Sequence, residues 1–309
     1  MSAWKTPLTM IEAKNLSKRY GSTVAVNDLS FTVKPGIVTG FLGPNGSGKS
    51  TTMRMIIGLD HPNGGSASIN GKPYASLKWP LREVGALLEA KALHPGRTAR
   101  NHLRALAASN RIPRSRVDEV LELVGLAGVA SKRAGGFSLG MGQRLGIAAA
   151  ILGDPGILLF DEPVNGLDPE GIQWVREFLR SLAKQGRTVF VSSHLMSEMS
   201  QTADHVIVIG RGKLLVDSSM DEMVSKAGSS VLVRSPDADR LAAAIRDSGG
   251  IVIQLGDGGL SVAGIEAAQV GELAAREGVV LHELSPQQAS LEEAFMALTK
   301  DDVEFGGSL

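Results

Sequence analysis

Cysteine is missing from all 309 residues, which excludes disulfides, thiol catalysis and Cys-ligated metal centres and agrees with a cytosolic setting. An excess of either charge is missing too: 32 Lys+Arg face 32 Asp+Glu, a formal net charge of zero. A sequence-independent nucleic-acid binder relies on long-range attraction, so no nucleic-acid partner is expected. Long apolar runs are also lacking. The longest, such as GIAAAILG at 146–153, fall far short of the roughly 20 residues of a spanning helix. The first residues, MSAWKTPLTMIEAKN, hold Lys5, Pro7, Glu12 and Lys14 and have no signal-peptide core. The expectation is therefore no direct membrane span; work at a membrane would need another chain to cross it. What is present, 43% hydrophobic and 21% charged residues, describes a folded chain long enough for two domains.

Residues 8–42 read as strands: TMIEAKNLSKRY, TVAVNDLSFTV and the apolar IVTGFL. Between 97 and 153 the apolar spacing turns helical, with Leu103, Leu106 and Ala107, then Val117, Val120, Leu121 and Val124. From 157 strands and helices alternate: ILLF, a helix around 170–185, TVFVSS, a short helix after His194, HVIVIG and KLLV. Alternation of this kind with apolar strands indicates a mostly parallel sheet buried on both faces. A boundary is expected near AGSS at 227–230. Beyond it VLVRS, PDADRLAAAIRDSG, GIVIQL, GLSVAG, IEAAQVGELAAREG, VVLHEL and SLEEAFMALT read as β-α-β-β-α-β with a final helix, the ferredoxin-like order. GDGG at 256–259 supplies a hairpin turn there, and Ser290 with Glu293 a capping box. No catalytic constellation is found in this region, so a regulatory or dimer-supporting module is expected.

GPNGSGKST at 43–51 fits G-x-x-x-x-G-K-[ST] through Gly43, Gly48, Lys49 and Ser50, after an apolar strand and before the helical MRMIIGL. Glycines let successive N–H groups turn around phosphate oxygens, Lys49 neutralises the β/γ-phosphates and Ser50 ligates Mg²⁺. ILLFDEP at 157–163 is a buried strand delivering Asp161 and Glu162 to its C-terminal edge, where ligands of open α/β sheets sit. Asp161 would hold the metal, usually through water, and Glu162 would act as general base or polarise the attacking water. These two features alone also suit a GTPase, a small-molecule kinase or a DNA-repair ATPase.

FSLGMGQRLGIAAAILGDP at 137–155, NGLDPEG at 165–171 and VFVSSHLMSEM with His194 narrow the choice. With them the chain resembles the ATP-binding-cassette ATPases, the nucleotide-binding subunits of ABC transporters, from about residue 8 to 225. No Asn-Lys-x-Asp guanine reader is seen. The resemblance implies an α/β P-loop NTPase domain at 1–228, with a mixed sheet core, an antiparallel β subdomain and a helical subdomain at about 90–153. A small α+β ferredoxin-like domain at 229–309 would follow it. It further implies that Tyr20 stacks on adenine and that Gly43, Pro44, Asn45, Gly46, Ser47, Gly48, Lys49, Ser50 and Thr51 form the phosphate loop. Ser138 and Gly140 would cap the γ-phosphate bound by the opposite subunit, Asp161 and Glu162 would be the metal and catalytic carboxylates, Asp168 would lie in the loop linking the two sites, and His194 would contact the γ-phosphate.

Two motifs depart from the family's commoner pattern. The signature reads FSLGM, with Leu139 and Met141 where a glycine and a glutamine are usual. VGALLEA presents Glu89 where most cassettes carry a glutamine that senses Mg²⁺ and the attacking water. A carboxylate there would bind Mg²⁺ more strongly and add charge beside the phosphates. GALLEA, SLGM and the terminal SPQQASLEEAFMALT are similar to the exporter ATPases of peptide-antibiotic and drug efflux. Arg97, Arg100, Arg104, Arg111, Arg114 and Arg116 are open to two readings: a solvated face balanced by Asp118, Glu119 and Glu122, or a contact surface for a permease or anionic lipid.

The resemblance as a whole implies an ATPase using ATP and Mg²⁺, as two copies sandwiching two ATPs beside a separate polytopic permease, cytoplasmic and peripheral on the inner membrane face. The alternative is a stand-alone cassette ATPase in DNA repair or translation. It is disfavoured because the stretch from Lys49 to Phe137 is too short for a repair-type coiled coil and the chain carries one cassette.

Overall fold

In the computed structural model, residues 10–89, 93–226, 229–255 and 258–288 are described. They divide into two units, one running to Ser218 and the other from Ser219 onward.

The first unit opens with an antiparallel pair, β1 (Ile11–Tyr20) and β2 (Thr23–Val33). Strand β3 (Val38–Leu42) is buried at every residue and leads through the phosphate loop into α1 (Lys49–Ile56). This helix starts at Lys49, four residues before the expected MRMIIGL, because the lysine and the serine and threonines after it already form its first turn. Strand β4 (Gly64–Ile69), which periodicity does not announce, pairs with β1 to close a three-stranded sheet in the order β2-β1-β4. The short α2 (Pro80–Glu83) and β5 (Val84–Leu87) precede the helical stretch of α3 (Ala99–Ser109), α4 (Ser115–Leu123) and α5 (Leu139–Ile151). Next come β6 (Ile157–Asp161), α6 (Pro169–Lys184), β7 (Thr188–Ser193), α7 (Met196–Ser200), β8 (His205–Gly210) and β9 (Lys213–Ser219).

The six-stranded sheet has the order β5-β6-β7-β3-β8-β9, with β5, β6, β7, β3 and β8 parallel. Residues 157–160 of β6 and all six residues of β7 are buried because both faces of a parallel sheet are covered. Phe31, Phe41 and Phe190 meet with centroids 5.0–5.6 Å apart, joining the antiparallel sheet to the parallel one. Met53 and Ile56 of α1 belong to the same core. The loops after β3, β6 and β7 thus emerge side by side, at the edge where the carboxyl ends of adjacent strands leave a crevice.

In the helical stretch Leu103, Ala107, Val117, Val120 and Leu121 are buried at the three- and four-residue spacings of their sequence. Arg100 pairs with Asp118 at 3.0 Å, Arg116 with Glu119 at 3.0 Å, and Arg111 lies 4.7 Å over the Trp79 ring. These three arginines are engaged within their own unit, which favours the solvated-face reading for them.

The second unit begins with α8 (Met220–Lys226). It continues as β10 (Ser229–Arg234), α9 (Ala238–Asp247), β11 (Ile251–Gln254), β12 (Leu260–Ala263), α10 (Ala267–Glu277) and β13 (Glu283–Gln288). Its sheet has the order β11-β12-β10-β13 with every pair antiparallel. Val231, Val233, Leu260 and Val262 pack with Leu241, Ile245, Val270 and Ala274 of the two helices. The last strand lies four residues later than the expected VVLHEL. Gly278 ends α10 at φ 66°, and the buried Val279 donates its N–H back to the Ala274 carbonyl at 2.8 Å, so the apolar run completes the helix end. Pro286 is tolerated in β13 because that strand is at the edge. The capping box of Ser290 with Glu293, the final helix and part of the GDGG turn lie outside the described residues.

Candidate active site

The phosphate loop depends on its glycines for space and for backbone hand. Gly48 has φ 105°, and a methyl group there would stand 2.4 Å from the Ala25 carbonyl oxygen. The turn carries Lys49 inward until its side chain is 6% exposed, with Nζ donating to the Gly43 carbonyl at 2.7 Å and the Pro44 carbonyl at 3.2 Å. Burial lowers the Lys49 pKa, opposed by the attraction of Glu162 and then Asp161. The ammonium is thus held among carbonyl oxygens that a bound phosphate can replace as partners.

Glu162 follows β6 at φ 50°, an unusual backbone for a residue with a side chain. Its carboxylate stands between two partners: Oε1 is 3.9 Å from Lys49 Nζ and Oε2 is 2.9 Å from His194 Nδ1. Asp161 accepts a hydrogen bond from the Ser192 hydroxyl, whose oxygen in turn accepts the Glu162 N–H at 3.0 Å. Lys49, Ser50, Thr51, Glu162 and His194 line one cleft of about 270 Å³ with Asn45, Gly46 and Gly48. Residues spread over some 150 positions of sequence therefore converge on one polar crevice at the sheet edge.

Other residues singled out in the sequence lie elsewhere. Ser138 caps α5 by accepting the Met141 N–H at 3.2 Å, and it lines a separate cavity with Leu139, Gly142 and Pro95. Asp168 caps α6 by accepting the Gly171 N–H at 2.8 Å. Tyr20 is 48% exposed and donates to Asp60 Oδ2 at 2.8 Å, the carboxylate also held by Arg54 Nε at 2.7 Å. Glu89 is exposed on the loop after β5, and its charge is felt by Arg54. Ser50 in the first turn of α1 and Asp161 at the end of β6 offer hard oxygen donors, a set that fits Mg²⁺ because that ion keeps several waters and binds through few protein oxygens plus substrate phosphates.

Sequence reading missed three residues here. Ser192, from VFVSSH, holds the Asp161 carboxylate with its hydroxyl and accepts the Glu162 backbone N–H. Gln143 is 4% exposed and its Nε2 approaches the Glu162 carbonyl at 3.5 Å. Glu198, on the helix after His194, has a pKa raised by burial and then by the charge of Glu162, opposed by His194 and Arg176. Their sequence signal was only proximity to a motif.

A carboxyl whose pKa is raised by folding contributes stability that is full below its unfolded pKa and lost as pH rises through its folded pKa. Glu198→Gln should therefore raise Tm at pH values above the carboxylate range, with the gain vanishing in acid. Melting curves across pH check this, and a gain independent of pH would show that the Glu198 charge is not its cause.

The family model described as ABC transporter matches residues 26–165, and a domain of unknown function, DUF8746, matches 229–292. The chain is 45% identical over 218 residues to the bacitracin transport ATP-binding protein BcrA of Bacillus licheniformis, covering 70% of this chain and 71% of the relative. It is 34% identical over 304 residues to the uncharacterized ABC transporter ATP-binding protein YhcH of Bacillus subtilis (strain 168), covering 96% and 98%. A dimeric structure of the ATP-binding cassette MJ0796 in a post-hydrolysis state with ADP and Pi superposes with a TM-score of 0.63 at 25% identity, over 68% of this chain and 98% of that one. Identity of this extent, together with a phosphate loop facing two carboxylates and a histidine, shows that the chain belongs to the ATP-binding proteins of ABC transporters and is an ATPase.

Proposed function

We propose that this ATPase drives export of a drug, antibiotic or peptide through a separate polytopic permease. The observation that carries the mechanism is Glu162 held between Lys49 and His194 at the phosphate-loop cleft. The backbone N–H groups of the phosphate loop and Lys49 hold the phosphates of ATP; Ser50 and Asp161 would hold Mg²⁺, which would offset the phosphate charge. Glu162 accepts a proton from the attacking water, and His194 orients Glu162 and contacts the γ-phosphate. Tyr20 stacks on adenine once the base competes for its exposed ring.

Two copies face each other so that Ser138 and Gly140 of one cap the γ-phosphate of the other, with Asp168 in the loop between the sites. The dimeric state of the MJ0796 cassette supports this reading. The export role is supported by BcrA, whose name assigns it to bacitracin transport. Among the described residues no helix is long and apolar enough to cross a membrane. In this reading the membrane path belongs to the permease, with this chain at its cytoplasmic face. The element order and strand order of residues 229–288 support a ferredoxin-like arrangement for the second unit.

Glu89 is proposed to turn toward Mg²⁺ when the site closes. Purified from membranes in detergent, the chain should co-elute with a polytopic protein. In that preparation Glu89→Gln should raise the Mg²⁺ needed for half-maximal ATPase activity and Glu89→Ala raise it further, with little change in nucleotide affinity. Superimposable Mg²⁺ titrations would remove Glu89 from the metal site, and ATPase activity eluting with no membrane partner would count against the exporter reading.

A further inference from the structure

Glu162 holds a left-handed backbone, which costs a residue with a side chain about 1 kcal/mol or more and persists only where its surroundings impose it. Its N–H is fixed by Ser192 at 3.0 Å. Its carbonyl accepts the Asn165 N–H at 3.2 Å and is also approached at 3.5 Å by Gln143 Nε2, from a side chain that is 4% exposed and whose Oε1 is buried with no hydrogen-bond partner among the described residues. An amide left half-satisfied in an interior is a worse core residue than a methionine or leucine of similar volume. Packing alone does not account for Gln143.

Gln143 lies on α5, the helix that Ser138 caps. The start of that helix touches the segment after Glu162 a second time. A Cβ at Gly166, where φ is 71°, would stand 2.2 Å from Leu139 Cδ2, and one at Gly140 would stand 3.3 Å from Leu167 Cδ2. Leu139, the residue that replaces the usual signature glycine, therefore fills room that Gly166 leaves.

We propose that Gln143 is a positioning residue for Glu162, and that Leu139 seated on Gly166 completes a rigid link between the start of α5 and residues 162–167. Through it, contact of Ser138 and Gly140 with nucleotide on one subunit sets the carboxylate pose in that subunit's own cleft. The inference rests on the reading above of Glu162 as the base and of Ser138 and Gly140 as contacts to the opposite nucleotide.

The test is steady-state ATPase kinetics with direct ATP binding on the full chain. Gln143→Met, close in volume but without the amide, should lower kcat roughly tenfold while ATP affinity stays within about twofold, because a displaced base slows the chemical step and leaves the phosphate contacts intact. Leu139→Ala, at a position 44% exposed, should keep the fold and lower kcat by about threefold. The double variant should be no slower than Gln143→Met alone, since both act through one link. Full kcat in Gln143→Met, parallel loss of kcat and binding, or multiplying effects in the double variant would each overturn the proposal. Glu162→Gln measured alongside separates the two levels: near-normal turnover there removes the base reading itself, whereas lost turnover there with full kcat in Gln143→Met removes only the link.

Discussion

Glu162→Gln should reduce ATP turnover by roughly 10²–10⁴-fold, the range a positioned general base supplies, while ATP still binds. The substitution keeps the volume and one oxygen, and the phosphates remain held by the loop amides and by Lys49. It removes the charge that faces Lys49 Nζ at 3.9 Å and leaves only a neutral amide to meet His194, so repulsion between this residue and the γ-phosphate also falls. Nucleotide should consequently accumulate on the variant and hold two copies together. ATPase rates measured beside size-exclusion elution with MgATP read both effects. Near-normal turnover would take Glu162 out of the catalytic role, and a monomer with bound ATP would count against the sandwich.

Lys49→Ala and Ser138→Arg should fail in different ways. Lys49 lies in the cleft, and loss of its charge-assisted contacts to phosphate should weaken ATP binding by the monomer about 10–100-fold, from roughly 1.5–3 kcal/mol. Ser138 does not line that cleft; its hydroxyl caps α5, and loss of the cap costs about 1 kcal/mol. Ser138→Arg should therefore keep monomer affinity and lose ATP-driven dimerisation, because a bulky side chain then stands where the second nucleotide must seat. Equilibrium binding at dilute protein and sedimentation at higher concentration distinguish the two variants. Equal loss of monomer binding in both would contradict a site completed by the partner copy.

Much of the nucleotide site was legible because its parts are local in sequence. A phosphate loop is a run of nine residues whose spacing alone aims its amides, and an apolar strand ending in Asp161 and Glu162 carries its own placement at the sheet edge. The strands β6 and β7 were legible for the same reason, as short apolar runs bounded by turns. Weaker elements were not. Strand β4, GGSASI, opens on two glycines with only Ala67 and Ile69 apolar and pairs with β1; VVL at 279–281 looked like a strand, yet its Val279 closes a helix end. Local pattern cannot distinguish an apolar residue that pairs in a sheet from one that packs on a helix end.

By itself, then, the sequence determined the phosphate loop, the paired carboxylates, the histidine after a buried strand and the absence of any apolar run long enough to span a membrane. Only the tertiary structure decided which groups meet. It set Glu162 between Lys49 and His194, joined Ser192 to the Asp161 carboxylate and the Glu162 N–H, and turned Gln143 and Leu139 from signature neighbours into contacts of residues 162–167. It also tied Arg100 to Asp118 and Arg116 to Glu119, and held Tyr20 on Asp60. The reason is physical: a motif fixes backbone conformation over a few residues, whereas the partner of a side chain is chosen by strand order and helix packing, which bring together positions far apart along the chain.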